Sequence, residues 1–125
     1  METKTSFRQA HLDHQLWINE LEFFREEINI FENQLDGLRE KERDGEKIDR
    51  ADFFQNQFAR YRDLCNSLES EVLEAEKLMA IYAGSEESQD LDNVRIADHA
   101  QFRERMDSFR SDYLSLKDEF RRSNW

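Results

Sequence analysis

The chain has 125 residues and a formal net charge of −11, and apolar and charged residues each make up 38% of it. It has no proline and only two valines and two threonines, which argues against a β-sheet, where β-branched residues and turn signals concentrate. The apolar share and the ten phenylalanines exceed what a disordered acidic chain contains. We therefore predict a single all-α domain over residues 1–125.

The first predicted helix covers residues 7–43. Its apolar residues recur in alternating steps of three and four, which keeps them on one face for more than four heptads. Ser6 followed by Gln9 matches a capping box, and Asp44-Gly45 is expected to end the helix. The stripe, which only His14 interrupts, consists of Phe7, Ala10, His14, Trp17, Leu21, Phe24, Ile28, Phe31, Leu35 and Leu38.

Two further helices are predicted over residues 48–83 and 89–122. Asp49 is the expected N-cap of the second helix and Gly84 follows its end, while Ser85 or Ser88 caps the third. Short connections place successive helices in opposite directions, so we predict an antiparallel up-down-up three-helix bundle. The stripes are Ala51, Phe54, Phe58, Tyr61, Cys65, Leu68, Val72, Ala75, Met79 and Tyr82, then His99, Phe102, Met106, Phe109, Tyr113, Leu116 and Phe120.

A second apolar line accompanies the main stripe of the first helix, formed by Leu12, Leu16, Phe23 and Ile30. One interpretation is a wide face that contacts both partner helices inside the bundle. The other is a surface for self-association or for a partner helix. The sequence favours the first interpretation without excluding the second.

The three histidines are the candidate metal ligands. His11 and His14 lie one turn apart on the first helix, and antiparallel threading brings His99 to the same end of the bundle. Glu71, Glu74 and Glu76 are expected nearby on the second helix. Such a set suits a transition metal such as zinc, iron or copper. The alternative is that His14 and His99 pack as polar seam residues that fix helix register, with His11 in water.

Catalytic chemistry is not expected. Cys65 falls on the second stripe and is interpreted as a buried apolar residue, and no phosphate loop, nucleophile elbow or Cys-x-x-Cys pair occurs. The carboxylates of Glu69, Glu71, Glu74 and Glu76 have the spacing of a solvated face. Trp125 is interpreted as covering the end of the bundle, with a partner-binding tail as the alternative. We predict no cofactor unless the histidines bind metal.

The charge and the missing targeting signals bear on location and partners. An acidic chain should be repelled by nucleic acid and by anionic membranes. Arg103, Arg105 and Arg110 alternate with acidic residues and are interpreted as a salt-bridged face of the third helix. No signal peptide is visible, the longest apolar run has six residues, and Cys65 has no partner cysteine. A cytoplasmic protein that binds other proteins or itself is predicted.

The segment from His11 to Trp17, which carries His-x-x-His-x-x-Trp, resembles a group of small uncharacterised bacterial helical proteins. The segments 20–23, 30–35 and 53–58 add to the resemblance, which covers mainly the first half of the chain. It implies a bacterial cytosolic helical bundle and brings no activity with it.

Overall fold

The computed structural model describes the backbone of residues 7–82 and 88–123 and the side chains of residues 8–81 and 99–123. Three helices and no strand occupy this part of the chain: α1 (Phe7–Lys41), α2 (Gly45–Tyr82) and α3 (Ser88–Arg122). The predicted all-α, three-helix fold is confirmed. None of these helices, as far as they are described, is long and apolar enough to cross a membrane.

The connection between α1 and α2 differs from the predicted one. α1 ends at Lys41, earlier than expected, and Gly45 is the first residue of α2 instead of a stop signal. Asp44 caps α2, because its Oδ1 accepts a hydrogen bond of 3.0 Å from the backbone N–H of Glu46. The prediction that Asp49 is the N-cap is wrong, since Asp49 lies inside α2. A shorter turn suffices because Asp44 satisfies a donor that every helix start leaves unpaired.

The predicted start of α1 at Phe7 is confirmed. Several sequence-based expectations concern residues outside the described ones: the capping role of Ser6, the roles of Gly84 and Ser85 around the second connection, and the covering role of Trp125.

The three heptad stripes meet in one core. Leu21, Ile28 and Phe58 are fully buried, and Phe54 and Tyr113 almost or entirely so. Aromatic side chains from all three helices contribute to this core. Other aromatic residues in this core are Trp17, Phe24, Phe109 and Phe120, with Phe31, Tyr61 and Phe102 packed against it.

Side-chain contacts define how the helices run. Arg39 contacts Asp52, Arg25 contacts Glu69 and His14 contacts Glu76, so partners on α1 and α2 follow opposite chain order. Contacts between α1 and α3 follow the same chain order, from Asp13 with His99, through Glu20 with Arg110, to Glu27 with Lys117. The start of α1, the end of α2 and the early part of α3 therefore meet at one end of the molecule.

Candidate functional site

The second apolar line of α1 lies on the surface. We call Leu12, Leu16, Phe23 and Ile30 the outward face of α1; their exposed fractions are 49%, 65%, 57% and 56%. At 100° per residue these positions lie roughly 130° around the helix from the centre of the buried stripe. The interpretation of a wide face buried between both partner helices is therefore wrong, because these four side chains remain exposed while the core stripe and Ile18 pack against the other helices.

The three predicted histidines lie at one end of the bundle. The rings of His14 and His99 are both buried, with centroids 5.5 Å apart, and Trp17 stacks on His99 at 5.0 Å with an interplanar angle of 28°. His11 is exposed, as one of the alternative interpretations expected, but it shares Glu76 with His14. Together with Asp13, these histidines and Glu76 form what we call the histidine cluster.

Each imidazole in the cluster faces a carboxylate. Nδ1 of His11 lies 2.6 Å from Oε2 of Glu76, and Nδ1 of His14 lies 3.0 Å from Oε1 of the same residue. Nε2 of His99 lies 2.8 Å from Oδ2 of Asp13. An ionised carboxylate only accepts hydrogen bonds, so each of these ring nitrogens carries the proton and donates it. Three inter-helix hydrogen bonds thus link α1 to α2 and to α3.

One buried nitrogen is left over. Nδ1 of His99 is buried and has no hydrogen-bond partner among the described residues. Asp13, which holds the other nitrogen, also lies 3.6 Å from a guanidinium nitrogen of Arg103. Asp13 was not among the predicted site residues, although it stands between His11 and His14 in the sequence and contacts His99 of α3.

Burial and pairing change the acidity of two members of the cluster. Burial is the main reason that the pKa of His14 lies below its ordinary 6.5, against the opposing effect of Glu76. Burial alone would raise the pKa of Asp13, but hydrogen bonds from His99 and Gln9 lower it overall. At neutral pH the cluster therefore holds a neutral His14 and an ionised Asp13.

The cluster does not present a ready metal site. Within the described part of the chain, no group of three or more histidine, cysteine, aspartate or glutamate side chains is arranged to hold a metal ion. Of the three carboxylates expected beside the histidines, Glu76 is in contact with them, whereas Glu71 pairs with Arg105 of α3.

Several charged residues of α2 and α3 pair with residues of other helices. Glu69 and Glu76 are mostly buried against partners on α1, so the prediction of a solvated acidic face on α2 is wrong for these two residues. Glu71 and Glu74 are exposed as predicted, although Glu71 also pairs with Arg105 of α3. Of the arginines predicted to pair along α3, Arg110 does so with Asp107, but it also binds Glu20 of α1 through three contacts of 2.6–3.1 Å.

Cys65 is fully buried, as its position on the stripe predicted. Burial raises the pKa of its thiol to about 12. The thiolate, which is the reactive form, is therefore scarce at neutral pH.

Comparison with protein-family models, with curated proteins and with solved structures gives no match to this chain. Functional conclusions therefore depend on the exposed face, the histidine cluster and their chemistry.

Proposed function

We propose that this protein is a non-enzymatic helical bundle that binds a partner helix, or a second copy of itself, through the outward face of α1. One observation carries the proposal: four large apolar side chains, 49–65% exposed, follow one line on a helix whose opposite face already forms the core. Apolar anchors at helical spacing are what one helix offers to another. The bundle itself supplies a rigid support for them.

The hydrophobic effect supports this use of the surface. Single exposed leucines are common on proteins and need no explanation, but several large apolar side chains exposed along one side of a helix are typical of interaction sites. Leu16, Phe23 and Ile30 succeed one another at intervals of seven residues. A second helix packed along them would remove three apolar side chains from water at once.

The chemistry of the remaining residues agrees with a binding role. Cys65 is buried and its thiol stays protonated. The ring nitrogens of His14 and His99 are hydrogen-bonded to carboxylates on other helices. The net charge of −11 favours protein partners over nucleic acid or anionic membranes. We propose a cytoplasmic location, because the chain has a single cysteine and therefore no intrachain disulfide.

A helical-peptide display library tests the proposal without assuming a partner. Selection against the wild-type protein, with counter-selection against a variant carrying Leu16→Gln, Phe23→Gln and Ile30→Gln, should enrich peptides that need these three side chains. Leu64→Gln is the matched control, because Leu64 is 40% exposed in the groove between α2 and α3. Sedimentation velocity over a range of concentrations tests self-association. A monomer that enriches no such peptides would contradict the proposal.

A second candidate function is binding of a transition metal such as zinc or iron by the histidine cluster. The observation that favours it is that Nδ1 of His11 and Nδ1 of His14 both face the carboxylate of Glu76. No three described side chains are arranged to hold a metal ion as they stand, so binding would require His11, His14 and Glu76, which are ligands of suitable type, to give up these hydrogen bonds and rearrange around the ion. Zinc titration with elemental analysis tests this function, and His14→Ala should abolish binding. Equal metal in wild type and variant would contradict it.

A further inference from the structure

The charges that α1 itself carries around its outward face are almost all negative. From Gln9 to Leu38 the chain carries seven acidic residues and a single basic one, Arg25. Arg25 points away from this face, since its guanidinium binds Asn66 and Glu69 of α2. The apolar line therefore runs through a surface without a cation of its own over this stretch of α1.

Most of these carboxylates already have partners inside the bundle. Glu20 pairs with Arg110 and Glu27 pairs with Lys117, both along the edge of α1 that meets α3. The acidic residues with partners on other helices are Asp13, Glu20, Glu27, Glu32 and Asp36. Two are left, and both of them lie beside the outward face.

Glu22 and Glu26 are exposed, and neither pairs with another described residue. They lie one turn apart along the edge of the apolar line that is farther from α3, on either side of Phe23 in the sequence. Like charges four residues apart repel each other and weaken a helix slightly. Cations supplied from outside the chain would remove this repulsion.

We propose that the partner of the outward face is a cationic amphipathic helix of another protein. Its apolar side packs on Leu16, Phe23 and Ile30, and Lys or Arg along one edge of it pairs with Glu22 and Glu26. The line from Leu12 to Ile30 is about 27 Å long at 1.5 Å per residue, which suits a partner helix of about five turns. This inference rests on the proposed function and names the chemistry of the partner.

A second copy of the chain fits the surface less well. Leu16 and Ile30 lie seven residues before and after Phe23. In an antiparallel pair of α1 helices centred on Phe23, Leu16 of each copy would therefore face Ile30 of the other. The same antiparallel arrangement brings the unpaired Glu22 and Glu26 of one copy close to the equally acidic α1 of the other copy. Two molecules of net charge −11 also repel each other as they approach.

A designed pair of peptides tests the inference. The first is a helix of about 20 residues with leucines at positions i, i+3, i+4 and i+7 and lysines along both edges; the second has glutamate in place of every lysine. Fluorescence anisotropy of the labelled peptides measures binding to the full-length protein at low and at physiological ionic strength. The double variants Phe23→Gln/Ile30→Gln and Glu22→Gln/Glu26→Gln are compared with the controls Leu64→Gln and Glu74→Gln.

The lysine peptide should bind and the glutamate peptide should not. We expect Phe23→Gln/Ile30→Gln to weaken binding at least tenfold and Glu22→Gln/Glu26→Gln to weaken it about threefold to tenfold, the effect of two exposed ion pairs. The controls should change it less than twofold. Circular dichroism checks that every variant is folded, which is expected because each substituted side chain is exposed.

Other outcomes overturn the inference in distinguishable ways. Binding of the lysine peptide that is unaffected by Phe23→Gln/Ile30→Gln would reflect nonspecific charge attraction. Failure of the lysine peptide, together with self-association that Phe23→Gln/Ile30→Gln abolishes, would overturn the cationic partner and leave the proposed function standing. Failure of both would overturn both proposals.

Discussion

The end of the bundle where α1 leads into α2 is held by phenylalanine rings packed in tilted and edge-to-face arrangements, whereas the opposite end is held by imidazoles bonded to carboxylates. Rings of Phe31, Phe54, Phe58 and Phe120 pack with centroids 5.2–6.4 Å apart. His14 and His99 are buried just as deeply, but each depends on a directional bond to a charged partner. The first end gains stability from area removed from water, and the second from groups that titrate.

The largest effect is expected at the aromatic end. Phe58→Ala should reduce the free energy of unfolding by about 3–5 kcal/mol, because Phe58 is fully buried and its ring contacts three other phenylalanines. Urea denaturation followed by circular dichroism measures the loss. The matched control is Phe53→Ala, which removes a ring that is 47% exposed. Equal losses for the two variants would contradict the assignment of Phe58 to the core.

A smaller loss is expected when the carboxylate partner of His99 is removed. Asp13→Ala leaves both ring nitrogens of His99 without a hydrogen-bond partner among the described residues, since Nδ1 already has none there. We expect a loss of about 1–3 kcal/mol, the usual cost of a buried polar group left unpaired. Asp13→Asn keeps an acceptor oxygen and should recover much of it. If Asn were as harmful as Ala, charge rather than hydrogen bonding would stabilise His99.

Lowering the pH should reduce the contribution of the histidine end to the free energy of unfolding and leave the contribution of the aromatic end unchanged. The pKa of His14 lies below 6.5 in the folded protein, chiefly because of burial, so the unfolded chain takes up a proton more readily than the folded one. Stability is then constant well above pH 6.5 and falls as the pH drops through 6.5 towards the folded-state pKa. The lowered pKa of Asp13 adds a second loss as the pH falls below 3.8.

Urea midpoints between about pH 8 and pH 5 measure this dependence. His14→Gln should reduce the change in midpoint over this range, whereas Phe58→Leu should lower the midpoint and keep the change. A wild-type midpoint that rises on acidification would show that protonated His14 is stabilised by Glu76 more than burial disfavours it.

The smallest effect is expected from His11. Its side chain is 55% exposed although its Nδ1 lies 2.6 Å from Glu76, and contacts between exposed groups contribute little to stability. His11→Ala should change the free energy of unfolding by about 0.5 kcal/mol or less. His14→Ala, at the same carboxylate, should cost several times more. Comparable losses for both would mean that Glu76, rather than burial, dominates this end.

The sequence allowed the helical stripes and the core to be predicted with few errors. Every described side chain on the three stripes is buried or partly buried, from Ala10 through Cys65 to Phe120, because a repeat of three and four residues places side chains on one face whatever the surroundings. Helix ends were less predictable. Asp44 and Asp49 both suit an N-cap by residue type. Only the path of the turn decides which of their carboxylates accepts a hydrogen bond from the first backbone N–H groups of the helix.

The line of Leu12, Leu16, Phe23 and Ile30 marks the limit of sequence reasoning. The spacing shows that these residues share one side of α1. However, an apolar line that is buried against other helices and one that is exposed to solvent have the same spacing in the sequence. Only the positions of α2 and α3 decide that this face remains in water.

The sequence by itself determined that this chain forms three amphipathic helices, because heptad spacing is a local property of each segment. The tertiary structure alone decided the partners of the charged and polar groups. Asp13 meets His99 across 86 positions and Glu76 meets His14 across 62, and such pairs depend on how aromatic side chains of unequal size set the register between helices. Register is a property of three packed surfaces together, and no one segment contains it.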